Sequence, residues 1–280
     1  MADEKESSGG SNSADIVRVV AGIVKELPVY PDLIQPAAKE LGKTLHTVAR
    51  VVNVLATPLR FTAWSAERIE QFVKDRVMLK LQYTPDEALQ PPPLHVGVPV
   101  LEALRYIGAD PELSELYANL LANSMDANTV NGAHPSFVDV IKSMTPDEAK
   151  LMRYFVDQLT APLIDVHLIM KKPLFRPTEF QTLLYSYSLI GHKAQCVNPE
   201  LSGSYIANLV RLGLLEINRQ QCMAAQTHYD EILASPLVVE VKKLAKERRR
   251  DLNFTKHLVG VTEFGKLFIT TCVRDKSKPG

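Results

Sequence analysis

Apolar residues recur at alternating steps of three and four along much of this chain, the spacing that gathers side chains on one face of an α-helix. Ile16, Val20, Ile23 and Leu27 mark such a segment over 15–27, closed by Pro28 and Pro31. Leu41, Leu45, Val48, Val52, Leu55 and Leu59 mark a second over 36–57, with Lys39, Glu40, Lys43 and Arg50 off the stripe. Pro58 interrupts it, and Phe61, Trp64, Ile69, Phe72, Val73, Val77 and Leu81 continue the pattern over 60–82. The second and third segments predict a long helical hairpin or one kinked rod.

Thr84-Pro85-Asp86-Glu87 and Thr145-Pro146-Asp147-Glu148 each read as a helix start: a threonine cap, proline at the first helical position and glutamate three residues after the cap. Pro91-Pro92-Pro93 predicts a stiff extended linker. Helices are expected over 99–107, from Asp110-Pro111 with Leu113, Leu116, Tyr117, Leu120 and Leu121 buried, over 136–144 and over 145–159. The pattern then changes. Residues 162–170 are rich in strand formers, 198–212 predict a helix stopped by Gly213, 214–218 a strand, 231–250 a helix with a basic end, and 256–261 a strand. Thr262-Glu263-Phe264-Gly265 then opens a helix reaching Cys272. This order predicts a mainly α protein with an N-terminal helical hairpin, a helical bundle and a C-terminal winged-helix-like α+β module with a helical insertion in the wing. The divisions expected are a disordered tail (1–14), a hairpin region (15–90), a central helical region (91–144) and the C-terminal domain (145–280).

Charge narrows the function. Lys+Arg and Asp+Glu both number 32, so no surplus of cations exists to displace counterions along a nucleic acid, although a local patch can still do so. The cysteines Cys196, Cys222 and Cys272 are odd in number and widely spaced, which suits a reducing cytoplasm. The start of the chain lacks the basic and apolar regions of a signal peptide. No uninterrupted apolar run reaches the roughly 18 residues of a membrane span.

Several stretches together resemble the abortive infection alpha family: Lys25 to Tyr30, Leu33 to Glu40, Leu101 to Tyr106, Leu116 to Asp126, and Ala133-His134-Pro135-Ser136-Phe137. The resemblance runs from about Asp15 to Cys272. It implies a setting in bacterial defence against phage and brings no catalytic residues with it. The expected action is therefore non-enzymatic, through protein association or self-association, with nucleic acid as a further partner class and a cytoplasmic location that extends to peripheral contact with the inner membrane; the alternatives are a membrane-perturbing effector and a HEPN-like ribonuclease. No small-molecule substrate is evident, no cofactor is implied and no metal set is assigned.

Four groups of residues carry the candidate chemistry. Asn119, Asn123, Asp126 and His134 could form a partner or ligand loop, although Asn, Asp and Ser also cap helices for local reasons. Ser202, Ser204, Asn208, Arg211, Arg248 and Arg249 could touch nucleic acid or a partner; the simpler account of the basic cluster is a solvated helix end favourable to the helix dipole. Leu41, Leu45, Val48, Val52, Leu55 and Trp64 could form a membrane or oligomer face, or simply a core stripe. Arg250 and His257 have the loose spacing of a HEPN-type ribonuclease pair, and His192, Cys196, Cys222 and His228 are zinc-ligand types without a tight knuckle.

Overall fold

The computed structural model describes residues 64–170, 179–225 and 227–277. The expected tail, the helices over 15–27 and 36–57 and the stripe Leu41 to Leu55 lie outside the described residues. The chain divides into two compact units, one ending at Ser143 and resumed from Thr270, the other formed by Met144–Ile269.

In the first unit, α1 is Ala66–Phe72, extended through a π-helical turn Val73–Val77 to Met78–Lys80. It is followed by α2 (Leu94–Ile107), α3 (Pro111–Ser124) and α4 (Ser136–Lys142). Asp110 caps α3 by accepting the N–H groups of Glu112 and Leu113. Trp64 packs against Phe72 with the rings tilted and their centres 5.5 Å apart, and fills the space beside Gly108, where a Cβ would stand 2.6 Å from the indole ring. The Thr84 motif does not start a helix. Leu89 bridges to Asp126, with Ala127 N–H donating to the Ala88 carbonyl and Gln90 N–H to the Met125 carbonyl, so only a 3-10 turn, Asp86–Ala88, forms before the prolines.

α3 is the central element: Leu116, Tyr117, Ala118 and Leu120 are fully buried, and so are the polar Asn119, Asn123 and Ser124. A helix buried all round has no solvent for its amides, so they must find partners inside. Their NH2 groups find them in the returning segment: Asn119 Nδ2 donates to the Cys272 carbonyl and Asn123 Nδ2 to the Thr271 carbonyl, both at 2.9 Å, while Asn119 Oδ1 has no partner among the described residues. Ion pairs complete the strap. Buried Lys80 contacts Glu115 and donates to Asp275 at 2.9 Å, and Lys276 pairs with Asp126 at 2.7 Å.

The second unit runs α5 (Pro146–Asp157), β1 (Thr160–Met170), β2 (Glu179–Tyr187), α6 (Ile190–Lys193), α7 (Ser202–Arg211), β3 (Leu215–Asn218), α8 (Thr227–Leu233), α9 (Pro236–Glu247), β4 (Asp251–Val261) and α10 (Glu263–Phe268). The second Thr-Pro-Asp-Glu motif does form a capping box: Glu148 N–H donates to Thr145 Oγ1 at 3.3 Å, and Thr145 N–H to Glu148 Oε2 at 2.6 Å. Gly213 closes α7 with φ +76°, and Gly265 lets α10 approach the Leu214 carbonyl, where a Cβ would lie at 2.1 Å.

The strands form one antiparallel sheet in the order β2-β1-β4-β3. This overturns the winged-helix expectation. β4 does not end a short wing; it pairs with β1 from Thr160↔Gly260 to Ile169↔Asp251 and occupies the middle of the sheet. Its extra length comes from Leu252 and Phe254, whose alternation extends the strand five residues upstream of the expected start. Residues 179–187, for which no strand is expected, form β2. One sheet face is covered by α8 and α9, with Ile164, Val166, Tyr229, Ile232 and Val238 at the centre of the packing and Phe254 and Leu184 against it.

The strap has an acid signature. Burial raises the Asp275 carboxyl, but the bonds from Lys80 and Ser277 outweigh it and hold the group down at about 2. A depressed carboxylate stabilises the fold above its unfolded value near 4, and that contribution is lost as pH falls toward about 2. The protection of the amides of residues 271–277 relative to their intrinsic exchange should therefore fall over this window, and Asp275→Asn should already show the lower protection at about pH 5. Identical exchange in the two proteins would remove the ion pair from the account.

Candidate functional site

The run Leu163-Ile164-Asp165-Val166-His167-Leu168-Ile169 places one carboxylate in the interior stretch of a long strand. Asp165 is 3% exposed. An ionised carboxylate there is tolerable only if its lone pairs are filled. Oδ1 accepts the Ser186 N–H at 2.6 Å, while Oδ2 accepts Arg219 Nη1 at 2.7 Å and lies 3.1 Å from His257 Nε2.

The sheet brings these groups together. β4 pairs His257 with Leu163 and Thr255 with Asp165, so His257 is the diagonal neighbour of Asp165 on one face. On the other side, Ile164↔Tyr187 and Val166↔Leu184 leave Tyr185 and Ser186 opposite Asp165 alone, a β-bulge. Ser186 adopts φ +50°, a conformation that costs a non-glycine residue energy, and the carboxylate compensates by accepting its N–H. Arg219, just past β3, reaches Asp165 from the surface. Its guanidinium centre stands 4.6 Å from the Tyr185 ring and its Nη2 3.5 Å from Ser186 Oγ.

His257 is 4% exposed and its Nδ1 has no hydrogen-bond partner. The neutral tautomer with hydrogen on Nε2 fits best, because it donates to Asp165 and leaves a bare lone pair, not an N–H, unpaired. Tyr229 fixes the strand beneath by donating its hydroxyl to the His257 carbonyl at 2.8 Å. The chemical capacity of this arrangement is positional. Asp165 is saturated with donors, and what it orients is the half-exposed Arg219 over the exposed ring of Tyr185.

Of the residues singled out in the sequence, Asn119, Asn123 and Asp126 do come together, but on the chain's own strap and not around an open loop. His134 stands apart, with its Nδ1 2.6 Å from Ser136 Oγ. Ser202 is buried; Asn208 donates to Glu148 Oε1 at 2.8 Å and accepts from Arg211 Nε at 2.9 Å, so α7 spends its polar groups internally. Ser204, Arg248 and Arg249 are exposed. Trp64 is packed within the first unit, and no described helix is long and apolar enough to cross a membrane.

Arg250 and His257 lie at the end and in the middle of one extended stretch, about 20 Å apart by strand rise. The histidine is buried against Asp165. A shared cleft within one chain is therefore ruled out. Cys196 donates its thiol to the Asp147 carbonyl at 3.6 Å, and burial, with Asp147 nearby, pushes it up to about 11. Among the described residues no group of three or more His, Cys, Asp or Glu is placed to hold a metal.

The family model for abortive infection alpha matches residues 65–272. The chain belongs to the abortive infection alpha family. The match begins after the motifs at Lys25 and Leu33, and spans the Asn119–Asp126 helix end and every residue of the Asp165 cluster. No curated protein matches this abortive infection alpha chain. A solved structure, of an uncharacterized protein from the hydrocarbon-degrading marine bacterium Alcanivorax borkumensis SK2, is similar at 19% identity and a TM-score of 0.32, over 48% of this chain and 89% of that one.

Removing the charge at the centre tests the cluster. Asp165→Ala should destabilise the second unit by about 3 kcal/mol in urea unfolding, because Arg219 and the Ser186 N–H lose their acceptor. Arg219→Met should cost less, since its side chain is 37% exposed. Equal and negligible effects would mean that the cluster holds nothing.

Proposed function

We propose that this abortive infection protein acts without catalysis, by binding another protein through the β2 side of its sheet unit. The observation that carries this reading is the exposed series Phe180, Leu183 and Tyr185 along β2, at 57%, 39% and 64%, with Arg219 fixed against Tyr185. Aromatic residues and arginine held in a set position are the side chains that dominate protein interfaces. β2 is an edge strand with two register shifts in its pairing with β1, and bulges blunt strand-to-strand addition. The partner is thus met by side chains more than by backbone.

A protein fits this surface better than a nucleic acid. Among the described residues of this surface, the cation held against Tyr185, Arg219, is already neutralised by Asp165, and phosphate binding draws on unneutralised cations. The exposed run Arg248 to Arg250 supports nucleic acid as the second reading, with the salt dependence that this entails.

Expression of the chain should lower plaque formation by a susceptible phage. The double variant Leu183→Lys with Tyr185→Ala should restore plaques while leaving the urea midpoint unchanged, because both side chains are exposed. Protection that survives this variant but is lost in Arg248→Glu with Arg249→Glu would move the function to the basic run. Unreduced plaque numbers across a broad phage panel would overturn the defence role.

A further inference from the structure

Alternate residues of a strand share a face. Ile164, Val166 and Phe254 pack beneath α8 and α9, which leaves His167 and Ile169 of β1 and Asp251 and Asn253 of β4 on the other face. The register lays two rows across it: Thr182, His167 and Asn253, then Phe180, Ile169 and Asp251. The Phe180 ring meets the His167 ring with centres 6.4 Å apart, and His167 Nδ1 lies 3.1 Å from Thr182 Oγ1, so the exposed phenylalanine is held in place. Two strand spacings, about 10 Å, separate Phe180 from Asp251, where the turn from α9 enters β4.

That turn is Arg248-Arg249-Arg250. Arg249 N–H donates to the Lys246 carbonyl at 3.1 Å and Arg250 N–H to the Ala245 carbonyl at 2.9 Å, the closure in which the residue past the helix end turns left-handed. Glycine takes that position at least cost, and here Arg249 takes it with φ +51°. A cation in the last turn suits the helix dipole, which accounts for Lys246 but not for an arginine strained beyond it. All four cations are exposed, and none makes a side-chain hydrogen bond or ion pair among the described residues. The carboxylates beside them are Glu247 and Asp251, and Asp251 has a partner of its own, so unpaired positive charge is in surplus at this end of the sheet.

We infer that the partner of β2 presents an acidic protein segment, with a large apolar side chain on Phe180 and carboxylates over the arginine turn. This rests on the association read from the β2 side chains and names the chemistry of what they meet. Glu179, beside Phe180, repels carboxylates from the start of β2 and so sets the orientation, apolar toward β2 and acidic toward β4. Arginine forks receive carboxylates in pairs of hydrogen bonds, and a fixed backbone lowers the cost of ordering them. A nucleic-acid strand carries charge at every nucleotide and calls for a track of cations. Here the cations are gathered at one end, and Ile169 lies between them and the exposed ring.

Fluorescence anisotropy with the full chain tests this. The probe is a labelled peptide with a phenylalanine pair followed by a run of glutamates; the controls put glutamine for glutamate, put serine for phenylalanine, or are single-stranded DNA of equal length. The acidic aromatic peptide should bind most tightly and weaken as salt rises. Arg248→Ser with Arg250→Ser should weaken it about tenfold, and Phe180→Ser separately by about as much, with the melting temperature unchanged because these side chains are exposed. Equal binding of the glutamine peptide, tighter binding of the DNA, or no anisotropy change up to about 1 mM protein would overturn the acidic partner. Phage plaques separate the two readings. Protection lost in Leu183→Lys with Tyr185→Ala but kept in Arg248→Ser with Arg250→Ser overturns the acidic partner alone, and protection kept in both overturns association through β2 as well.

Discussion

A single negative charge placed inside a strand governs the second unit. Asp165 sits where its neighbours Ile164 and Val166 enter the core beneath α8 and α9, so the strand cannot shift to expose the carboxylate without exposing them. The charge is instead answered from three directions: by the bulge of β2, by Arg219 after β3 and by His257 on β4. Each answer fixes a register. The bulge determines how β2 lies on β1, the histidine marks the alignment of β1 with β4, and the arginine ties the exit of β3 to the same point. The exposed Tyr185 surface follows from this arrangement, since the residue beside a strained Ser186 has nowhere to turn but outward.

The first unit meets a similar demand with amides. α3 buries Asn119 and Asn123, and the carbonyls of Thr271 and Cys272 receive their protons. Polar groups buried this way do not gain much over water, but left unmet they cost more than an ordinary contact gains. They therefore act as a requirement that one particular segment return to one particular helix.

The helices were the legible part of the sequence, because their boundaries rest on local chemistry. The Asp110 cap, the Thr145 capping box and the Gly213 stop are each readable within four residues. Boundaries set by partners were not. Thr84-Pro85-Asp86-Glu87 carries the same letters as the second motif, yet the bridge from Leu89 to Asp126 forestalls its helix. The start of β4 is harder to read because Lys256 interrupts the alternation of Leu252, Phe254 and Leu258. The winged-helix reading failed for the same reason: the long partner of β4 precedes it by some ninety residues, from Thr160 to Asp251, and no local pattern announces a pairing of that reach. Asp165 did leave a trace, as a lone carboxylate in an apolar strand run. The spacing of Asn119 and Asn123 gives no sign that their amides serve the chain's own carbonyls at Cys272 and Thr271.

The placement of the strap also orders events in time. Residues 144–269 are made between α4 and the segment that satisfies α3. A ribosome therefore releases the whole sheet unit while Asn119 and Asn123 still lack their acceptors, and the earlier unit can close only after the later one has emerged. Folding of the two is staggered in reverse: the part begun first is finished last.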